Sequence, residues 1–297
     1  MNGLLANRVA IITGAGRGLG RAHALAMARS GARVLVNDLD AESARQVCYE
    51  ITCAGGEAII NSANVQDLAQ VREMVAQAIQ RWGQVDILVN NAGILRDKTF
   101  AKIDLADFRL VLDVHVMGSV HCTHAVWLHM KERGYGRVIF TASSSGLYGN
   151  FGQSAYSAAK MALVGLMQTL ALEGARYGIR VNCLAPSAST QMTDTLLKPE
   201  DLQALEARRV SPAVVALASE SAPNKQIVLA GAGSFEQAHI TMTQGLYLGD
   251  DDLSAESLLE KWERLGDRSG EFVPAAGWDQ YQFEVARARE QDSKRGK

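Results

Sequence analysis

The sequence predicts an α/β fold in which a parallel sheet is covered by helices on both faces. Short apolar runs alternate along the chain with longer segments of helical spacing, and the runs are apolar at nearly every position. Continuous apolar strands are typical of a sheet buried on both sides, because a solvent-exposed face would alternate polar and apolar residues. With 297 residues and 47% hydrophobic content, the chain is long enough for one large domain and an appendage.

Seven apolar runs are predicted as strands of one doubly wound parallel sheet. Each run is rich in Val, Ile, Leu or Ala and lies next to Gly, Asn, Asp or Ser residues, which favour turns. The predicted strands cover residues 9–12, 32–37, 57–61, 85–89, 137–141, 179–184 and 226–229.

The segments between the strands have helical spacing. Val71, Val75, Ala78 and Ile79, for example, recur at the interval that places side chains on one helix face. Helices are predicted over residues 19–28, 41–54, 71–82, 105–133 and 154–176. The alternation gives one domain over residues 1–233. An extension over residues 234–297 is predicted to be partly helical, at 253–265 and 283–289.

Composition excludes several classes of function. The formal net charge is −2 and no block of basic residues occurs, so neither nucleic acid nor a membrane surface is expected as a partner. The four cysteines form no Cys-x-x-Cys pair, which favours idle thiols in a reducing compartment. We find no signal peptide, no apolar run of membrane-spanning length and no peroxisomal address in the final Arg-Gly-Lys, so a soluble cytoplasmic protein is expected.

A glycine-rich loop follows the first predicted strand. Residues 13–20 read Thr-Gly-Ala-Gly-Arg-Gly-Leu-Gly and lead directly into a helix. In this setting Gly14 allows a tight turn, Gly18 lets the backbone approach a diphosphate, and Gly20 lets the helix pack on the strand. The N–H groups at the start of the helix, around Arg17 and Leu19, can then bind phosphate. The loop therefore predicts a dinucleotide site.

A tyrosine and a lysine at helical spacing predict acid/base chemistry. Tyr156 and Lys160 are four residues apart, so they lie on one face of the helix over 154–176. A free tyrosine has a pKa near ~10, too high for a good base at neutral pH. An adjacent ammonium favours the phenolate, so we expect Lys160 to lower the Tyr156 pKa.

Four motifs in order give the chain a resemblance to the short-chain dehydrogenase/reductase family. They are the glycine loop of residues 13–20, Asn-Asn-Ala-Gly at residues 90–93, Ser143, and the Tyr156–Lys160 pair. The resemblance covers about residues 5–233. It implies a Rossmann-like fold, a nicotinamide cofactor, a secondary alcohol or ketone as substrate, and a homodimer or homotetramer.

The resemblance also implies roles for further residues. Ser143 hydrogen-bonds the substrate oxygen, and Lys160 binds the nicotinamide ribose. Asn64 and Val65 flank the adenine, although Asp is commoner than Asn at position 64. Asn91 either ties neighbouring strand ends together or touches the ribose. No metal is expected, since His121, His124 and His129 have no cysteine or acidic cluster beside them.

Asp38, at the end of the second predicted strand, favours NAD over NADP. A carboxylate there accepts hydrogen bonds from the ribose hydroxyls and repels a 2′-phosphate. The alternative is a helix cap, a role that Asp40 fits better. Arg17 favours NADP instead, because a basic residue in this loop often accompanies NADP in the family. We expect Asp38 to dominate and the cofactor to be NAD.

The chain departs from the family at His115, which aligns with the usual Asn of the middle helix. That Asn helps to hold a water that relays protons towards the lysine. An imidazole could do similar work and could titrate near neutral pH. The alternative is a histidine that only fills the helix kink and packs.

His115 and the surrounding sequence resemble one subgroup, the dehydrogenase units of type 2 multifunctional enzymes with bacterial hydroxysteroid and hydroxyacyl-CoA dehydrogenases. A bulky apolar alcohol is implied, with a lid over about residues 187–209 lined by Met192, Leu196 and Leu197. The lid shows no net positive charge that would favour CoA phosphates. Its charged residues are Lys198, Arg208 and Arg209 against Asp194, Glu200, Asp201 and Glu206.

This charge balance places a 17β-hydroxysteroid such as estradiol first among the substrates. A (3R)-hydroxyacyl-CoA is the alternative. An NAD-binding sensor or scaffold without catalytic activity is a third hypothesis, from a different class of protein, and the intact Ser143, Tyr156 and Lys160 argue against it.

Overall fold

A computed structural model of the chain describes residues 3–188 and 199–295, with only the backbone described at 199–201 and 291–295. The chain forms two compact units, Met1–Gln237 and Ala238–Lys297. The first unit contains the sheet and all the motifs discussed above.

The first unit is an α/β sandwich built on one sheet of eight strands. The strands are β1 (Val9–Thr13), β2 (Arg33–Asn37), β3 (Glu57–Asn61), β4 (Ile87–Asn90), β5 (Gly136–Thr141), β6 (Ile179–Ser187), β7 (Ile227–Gly231) and β8 (Ser234–Ala238). They lie in the order β3-β2-β1-β4-β5-β6-β7-β8. Strands β1 to β7 pair in parallel. The predicted doubly wound fold is therefore confirmed.

The burial of the strands explains why their sequences predicted them. Strands β1, β4 and β5 lie in the middle of the sheet and are buried at every position. Strand β3 forms one edge and is half-buried throughout. Burial on both faces requires apolar residues at consecutive positions, which is the pattern that the sequence shows.

Strand β8 was not predicted, and it makes the sheet one strand larger than expected. A turn of two residues, Ala232 and Gly233, joins it to β7, and both residues have positive φ angles (52° and 86°). So short a connection permits only antiparallel pairing. The sequence of β8, Ser-Phe-Glu-Gln-Ala, is largely exposed and has no apolar run. An edge strand of this composition gives no signal of the kind used to find the others.

Helices cover both faces of the sheet. They are α1 (Gly18–Arg29), α2 (Ala41–Cys53), α3 (Leu68–Trp82), α4 (Leu105–Leu112), α5 (Gly118–Arg133), α6 (Ser144–Tyr148), α7 (Ser154–Gly174), α8 (Pro199–Ala204) and α9 (Ser211–Ala218). Helices α6, α8 and α9 were not predicted. The long helix predicted over 105–133 is interrupted between α4 and α5 by a π-helical turn, Asp113–Met117. Turns of this kind are rare in proteins overall, but those that occur often lie at functional sites.

Helix α7 is long and apolar. The segment Ser154–Tyr177 is the one helix, among the described residues, that length and composition would allow to cross a membrane. Its side chains at Ala155, Ala159, Leu163, Val164 and Met167 are nonetheless buried within the unit. This burial is what a core helix of a folded domain shows, and one such helix is weak evidence for a membrane span.

Among its described residues, the second unit contains three α-helices, α10 (Ala255–Glu260), α11 (Trp262–Leu265) and α12 (Trp278–Arg295). The first two occupy the helix predicted over 253–265, which breaks at Lys261. Helix α12 is longer than the predicted 283–289. A single bridge pairs Met242 with Phe272, and the Phe272 ring packs against that of Phe283 at a centroid distance of 5.6 Å. The predicted boundary between residues 233 and 234 stays a prediction.

Candidate active site

The predicted motifs meet at the carboxyl edge of the parallel strands. The glycine loop follows β1, the Asn-Asn-Ala-Gly segment follows β4, and Ser143 lies two residues after β5. Strand order reverses between β1 and β4, the neighbours at the centre of the sheet. In doubly wound sheets this switch point opens the crevice where ligands bind.

The glycine loop has the shape that a bound diphosphate requires. Gly14 has a φ of 61°, and a Cβ atom on it would lie 2.8 Å from the Ala92 Cα atom. A Cβ atom on Gly20 would lie 2.1 Å from the Gly14 carbonyl oxygen, so α1 packs tightly on the loop. No side chain caps the N-terminus of α1 at Arg17. The first-turn N–H groups, at Gly18 and Leu19, are therefore available to phosphate oxygens, and the loop fits a dinucleotide.

Asp38 lies directly behind this loop. One oxygen of its carboxylate accepts a hydrogen bond from the Gly16 N–H at 2.8 Å, and the other accepts one from the Asp40 N–H at 3.0 Å. Asp40 caps helix α2 by accepting from Glu42 and Ser43. The structure thus separates the two roles that the sequence left open, because the cap is Asp40 and Asp38 fixes the loop. Arg17 lies in an ion pair with Asp40.

Asn91 ties strand ends together. Its side-chain amide donates to the carbonyl oxygens of Thr13 and Gly14, each at 3.0 Å. The Thr13 hydroxyl accepts from the N–H groups of Asn91 and Ala92, each at 3.0 Å. These bonds support the first of the two roles considered for Asn91. Sequence reasoning assigned no role to Thr13, although it is the first residue of the glycine motif.

Asn64 and Val65 lie in the loop after β3. The Asn64 side chain accepts a hydrogen bond from the Gln66 N–H at 3.0 Å, and Val65 is buried. The Val65 carbonyl lies 3.0 Å from Nδ1 of His121. The loop is therefore held in place, and contact of these two residues with an adenine stays a prediction.

Ser143, Tyr156 and Lys160 converge between β5 and α7. The Ser143 hydroxyl lies close enough to the Tyr156 hydroxyl to shift its pKa downward. The same serine oxygen accepts the Ser145 N–H at 3.2 Å, as the cap of α6. The Lys160 ammonium lies 5.5 Å from the centre of the Tyr156 ring and donates to the Thr141 carbonyl at 2.5 Å. The three side chains that the resemblance assigned to one site are therefore neighbours.

The pKa of Tyr156 differs from the expectation. Burial raises it above 10, while the hydrogen bond from Ser143 lowers it and the charge of Asp97 raises it further. Burial also lowers the pKa of Lys160 to about 7. Burial therefore also weakens the positive charge of the Lys160 ammonium. The expected lowering of the Tyr156 pKa is not what this structure gives, because burial has the largest effect and raises it, and Lys160 is not among the groups that shift it.

His115 lies in the π-helical turn beside these residues. Its ring packs edge-on against the Tyr156 ring, with centroids 5.3 Å apart. Its Nε2 atom lies 2.8 Å from the Ile94 carbonyl oxygen and 3.1 Å from the Ile94 nitrogen. A Cβ atom on Gly93 would lie 2.3 Å from the imidazole Cε1, so the glycine of Asn-Asn-Ala-Gly leaves room for the ring.

The His115 imidazole is neutral at physiological pH. Burial, and then the charge of Lys160, lowers its pKa to about 3, against a smaller upward effect of the Ile94 hydrogen bond. The expectation that His115 titrates near neutral pH is therefore wrong. Its Nδ1 atom is buried and has no hydrogen-bond partner among the described residues. An unpaired buried nitrogen is costly, which suggests that a water or ligand atom binds there.

One contact near the site was not anticipated. The Gln153 side-chain amide donates to Asp97 at 2.6 Å, which brings the segment after β4 next to the start of α7. Nothing in the spacing of these residues predicts this pair. Of the lid predicted over 187–209, residues 189–198 lie outside the described residues, and they include Met192, Leu196 and Leu197. Within the described ranges, no three His, Cys, Asp or Glu side chains come together as metal ligands.

Fold and site together define a nucleotide-dependent oxidoreductase of the doubly wound class. The family model for short chain dehydrogenases matches residues 8–201. The chain belongs to the short-chain dehydrogenase/reductase family, whose members act on hydroxyl groups with NAD or NADP. The predicted family and enzyme class are thus confirmed.

Three relatives differ in how much of their length this chain covers. Peroxisomal multifunctional enzyme type 2 of Drosophila melanogaster is 43% identical over 88% of this chain and 46% of its own length. Putative short-chain type dehydrogenase/reductase Rv0148 of Mycobacterium tuberculosis is 41% identical over 89% of this chain and 96% of its own. The (2S)-[(R)-hydroxy(phenyl)methyl]succinyl-CoA dehydrogenase subunit BbsD of Thauera aromatica is 42% identical over 64% of this chain and 77% of its own length. The chain spans less than half of the multifunctional relative.

Solved structures of similar fold agree with this family assignment. Full-length peroxisomal multifunctional enzyme type 2 of Drosophila melanogaster superposes with a TM-score of 0.82 and 36% identity, over 96% of this chain and 50% of that one. A 7α-hydroxysteroid dehydrogenase complexed with NADH and 7-oxo glycochenodeoxycholic acid superposes with a TM-score of 0.73 and 30% identity. The match covers 78% of this chain and 96% of that one.

Proposed function

We propose that this protein is an NAD-dependent dehydrogenase of (3R)-hydroxyacyl-CoA thioesters. The observation that carries the proposal is the convergence of Ser143, Tyr156 and Lys160 at the sheet edge, in a chain similar to the multifunctional enzymes and to a named CoA-thioester dehydrogenase. This reverses the order given by the lid charges, which placed a steroid first. Relatives matched over most of this chain support the thioester better.

Ser143 is suited to direct a proton towards the reacting oxygens. Its hydroxyl oxygen already accepts the Ser145 N–H, so its own hydrogen is free to be donated. Donation to the Tyr156 oxygen favours the phenolate, and this is the direction in which Ser143 moves the Tyr156 pKa. In the proposed reaction Ser143 donates this hydrogen to the substrate oxygen instead, and Tyr156 takes the hydroxyl proton of the substrate.

Lys160 is suited to hold both the tyrosine and a cofactor. One of its N–H groups donates to the Thr141 carbonyl, which would leave the others for a ribose hydroxyl. NAD bound here would supply the ring that accepts the hydride. Lys160 would orient that cofactor from its position 5.5 Å from the centre of the Tyr156 ring.

His115 is proposed as a positioning residue. The neutral ring holds the Ile94 main chain on one side and the edge of Tyr156 on the other. Packing therefore supports one of the two roles considered for it. The unpaired Nδ1 atom is also compatible with the other role, holding a water that relays protons. A neutral imidazole nitrogen can still bind a water beside Lys160.

An apolar wall next to Tyr156 supports a bulky substrate. Val111, Ala155 and Ala159 form a buried cluster, and Tyr156 packs against it together with the half-buried Ile94, Ile103, Phe108, Leu112 and Val116. Such a wall suits an acyl chain and equally a steroid, so it does not choose between them. The likeness to a 7α-hydroxysteroid dehydrogenase keeps the steroid as the second candidate.

Parallel assays of NADH formation test the proposal. The substrates are a medium-chain (3R)-hydroxyacyl-CoA, 17β-estradiol and testosterone. We expect a kcat/KM for the thioester about 100-fold above that for either steroid, which corresponds to ~3 kcal/mol of transition-state preference. A steroid that matches or exceeds the thioester would restore the steroid hypothesis.

Tyr156→Phe serves as the control for the chemistry. It should keep cofactor binding and abolish turnover of every substrate. Absence of turnover in the unmodified protein across the whole panel, with NADH still bound, would favour the non-catalytic sensor or scaffold.

A further inference from the structure

The side chain of Arg17, the basic residue of the glycine loop, is held from two sides. Its Nε atom donates to the Ser43 hydroxyl at 2.9 Å, and its Nη2 atom contacts the Asp40 carboxylate at 2.5 Å. The Ser43 hydroxyl donates in turn to the same Asp40 oxygen at 2.6 Å. A single exposed ion pair contributes little, but a cationic fork bound by two connected partners is restrained in one direction.

Asp40 is itself fixed in place. Its other carboxylate oxygen accepts the N–H groups of Glu42 and Ser43, at 3.1 and 3.2 Å, as the cap of α2. The hydrogen bonds from Ser43, and to a lesser extent the charge of Arg17, hold the Asp40 pKa below its usual value. Asp40 therefore keeps its negative charge over the working pH range, and Arg17 always has a partner.

This cluster adjoins the carboxylate that is expected to face the ribose. A Cβ atom on Gly16 would lie 2.9 Å from an Asp38 oxygen and 2.8 Å from the Ser43 Cβ atom, so both side chains meet at one point of the loop. The Asp38 carboxylate also accepts the Asp40 N–H. A 2′-phosphate brought to this corner would meet two carboxylates and one arginine that is already paired.

We propose that Asp40 is a second determinant of cofactor preference, because it holds Arg17 and so withholds the cation of the loop from a 2′-phosphate. The inference rests on the proposed NAD-dependent function and deepens it. It also explains how an NAD-type Asp38 coexists with an arginine of the kind that accompanies NADP. Arg17 is a structural partner of α2 here, and it becomes a phosphate ligand only when Asp40 loses its charge.

Asp40→Asn is the sharpest variant, because asparagine caps a helix about as well as aspartate. It removes the charge that holds Arg17 and leaves the hydrogen bonds to Glu42 and Ser43 possible. The matched control is Asp104→Asn, since Asp104 caps α4 by accepting the Ala106 N–H and has no part in this cluster. Unchanged melting temperatures will show that both variants fold.

The measurement is the dissociation constant of NADH and of NADPH for the full chain, followed by nucleotide fluorescence without substrate. We expect the unmodified protein to bind NADH at least about 10-fold more tightly than NADPH. Asp40→Asn should tighten NADPH binding about 10-fold and change NADH binding less than about twofold. Asp104→Asn should change neither.

Two further variants identify Arg17 as the cause. Arg17→Ala should show no gain for NADPH, and adding it to Asp40→Asn should abolish the gain. An NADPH dissociation constant unchanged in Asp40→Asn overturns the inference, and so does an equal gain in the double variant. If the unmodified protein binds no NADH, this inference and the proposed function both fail. If NADH binds and turnover occurs, only the role of Asp40 is at issue.

Discussion

Replacing Lys160 by methionine should change how the free energy of unfolding depends on pH. Burial lowers the Lys160 pKa from its ordinary 10.5 to about 7. Between these two values the unfolded chain binds a proton that the folded chain has released. The free energy of unfolding must therefore increase as the pH rises through this window. It decreases again as the pH falls towards 7. Methionine has a similar length and no charge, so the variant has no such slope.

The expected magnitude follows from the two pKa values. The linkage relation gives a penalty of about 4 kcal/mol at pH 7 and about 2 kcal/mol at pH 9 for burying this lysine. The unmodified protein should therefore gain about 2 kcal/mol between pH 7 and pH 9 through Lys160 alone. The lost hydrogen bond to Thr141 and the altered packing act nearly equally at both pH values, so they cancel from this difference.

Urea unfolding followed by tryptophan fluorescence, at equal protein concentration and at pH 7 and 9, measures the effect. Burial also raises the pKa values of Cys48 to about 11 and of Cys122 to about 12. These thiols reduce the free energy of unfolding at pH 9 by the same amount in both proteins, so their effect cancels when the two proteins are compared. Lys102→Met, at an exposed position, controls for the loss of a positive charge. Equal pH dependence of Lys160→Met and the unmodified protein, within ~0.5 kcal/mol, would refute the reasoning.

Two further predictions concern the site and the assembly. His115→Asn should lower kcat about 10-fold, the value of one aromatic contact of ~1.5 kcal/mol, and leave the midpoint of the pH–rate profile unchanged. A midpoint shifted by about half a unit would mean that the imidazole titrates during turnover. Leu128 on α5 and Leu172 on α7 are exposed, so we expect at least a dimer by light scattering at micromolar concentration. A monomer would contradict that expectation.

The sequence predicted most of the first unit because burial there leaves a pattern. Strand β3 was placed at its observed bounds, and β1 and β2 within one residue, since consecutive apolar residues mark strands covered on both faces. Strand β8 and helix α6 were missed for the opposite reason. The first is an exposed edge, and the second is a helix of five residues that contains two serines and a glycine.

The electrostatics of the site could not be predicted from spacing. The interval from Tyr156 to Lys160 correctly placed both side chains on one helix face, but it contained no information on what covers that face. Burial depends on how the neighbouring elements β5, α6 and β6, and the more distant α4, pack against α7. That burial reverses the expected direction of the Tyr156 pKa and removes His115 from the titration range.

The same burial links the stability of the fold to its proposed chemistry. An exposed lysine would keep its full charge, but it would also be free to leave Tyr156. Lys160 is instead enclosed and anchored to the Thr141 carbonyl, at a cost of several kcal/mol in the unliganded protein. A ribose hydroxyl that accepts a hydrogen bond from Lys160 would offset part of that cost, because hydrogen bonding to the charged form raises the pKa of an ammonium. Cofactor binding would therefore favour the charged form of Lys160 beside Tyr156, where that charge stabilises a phenolate.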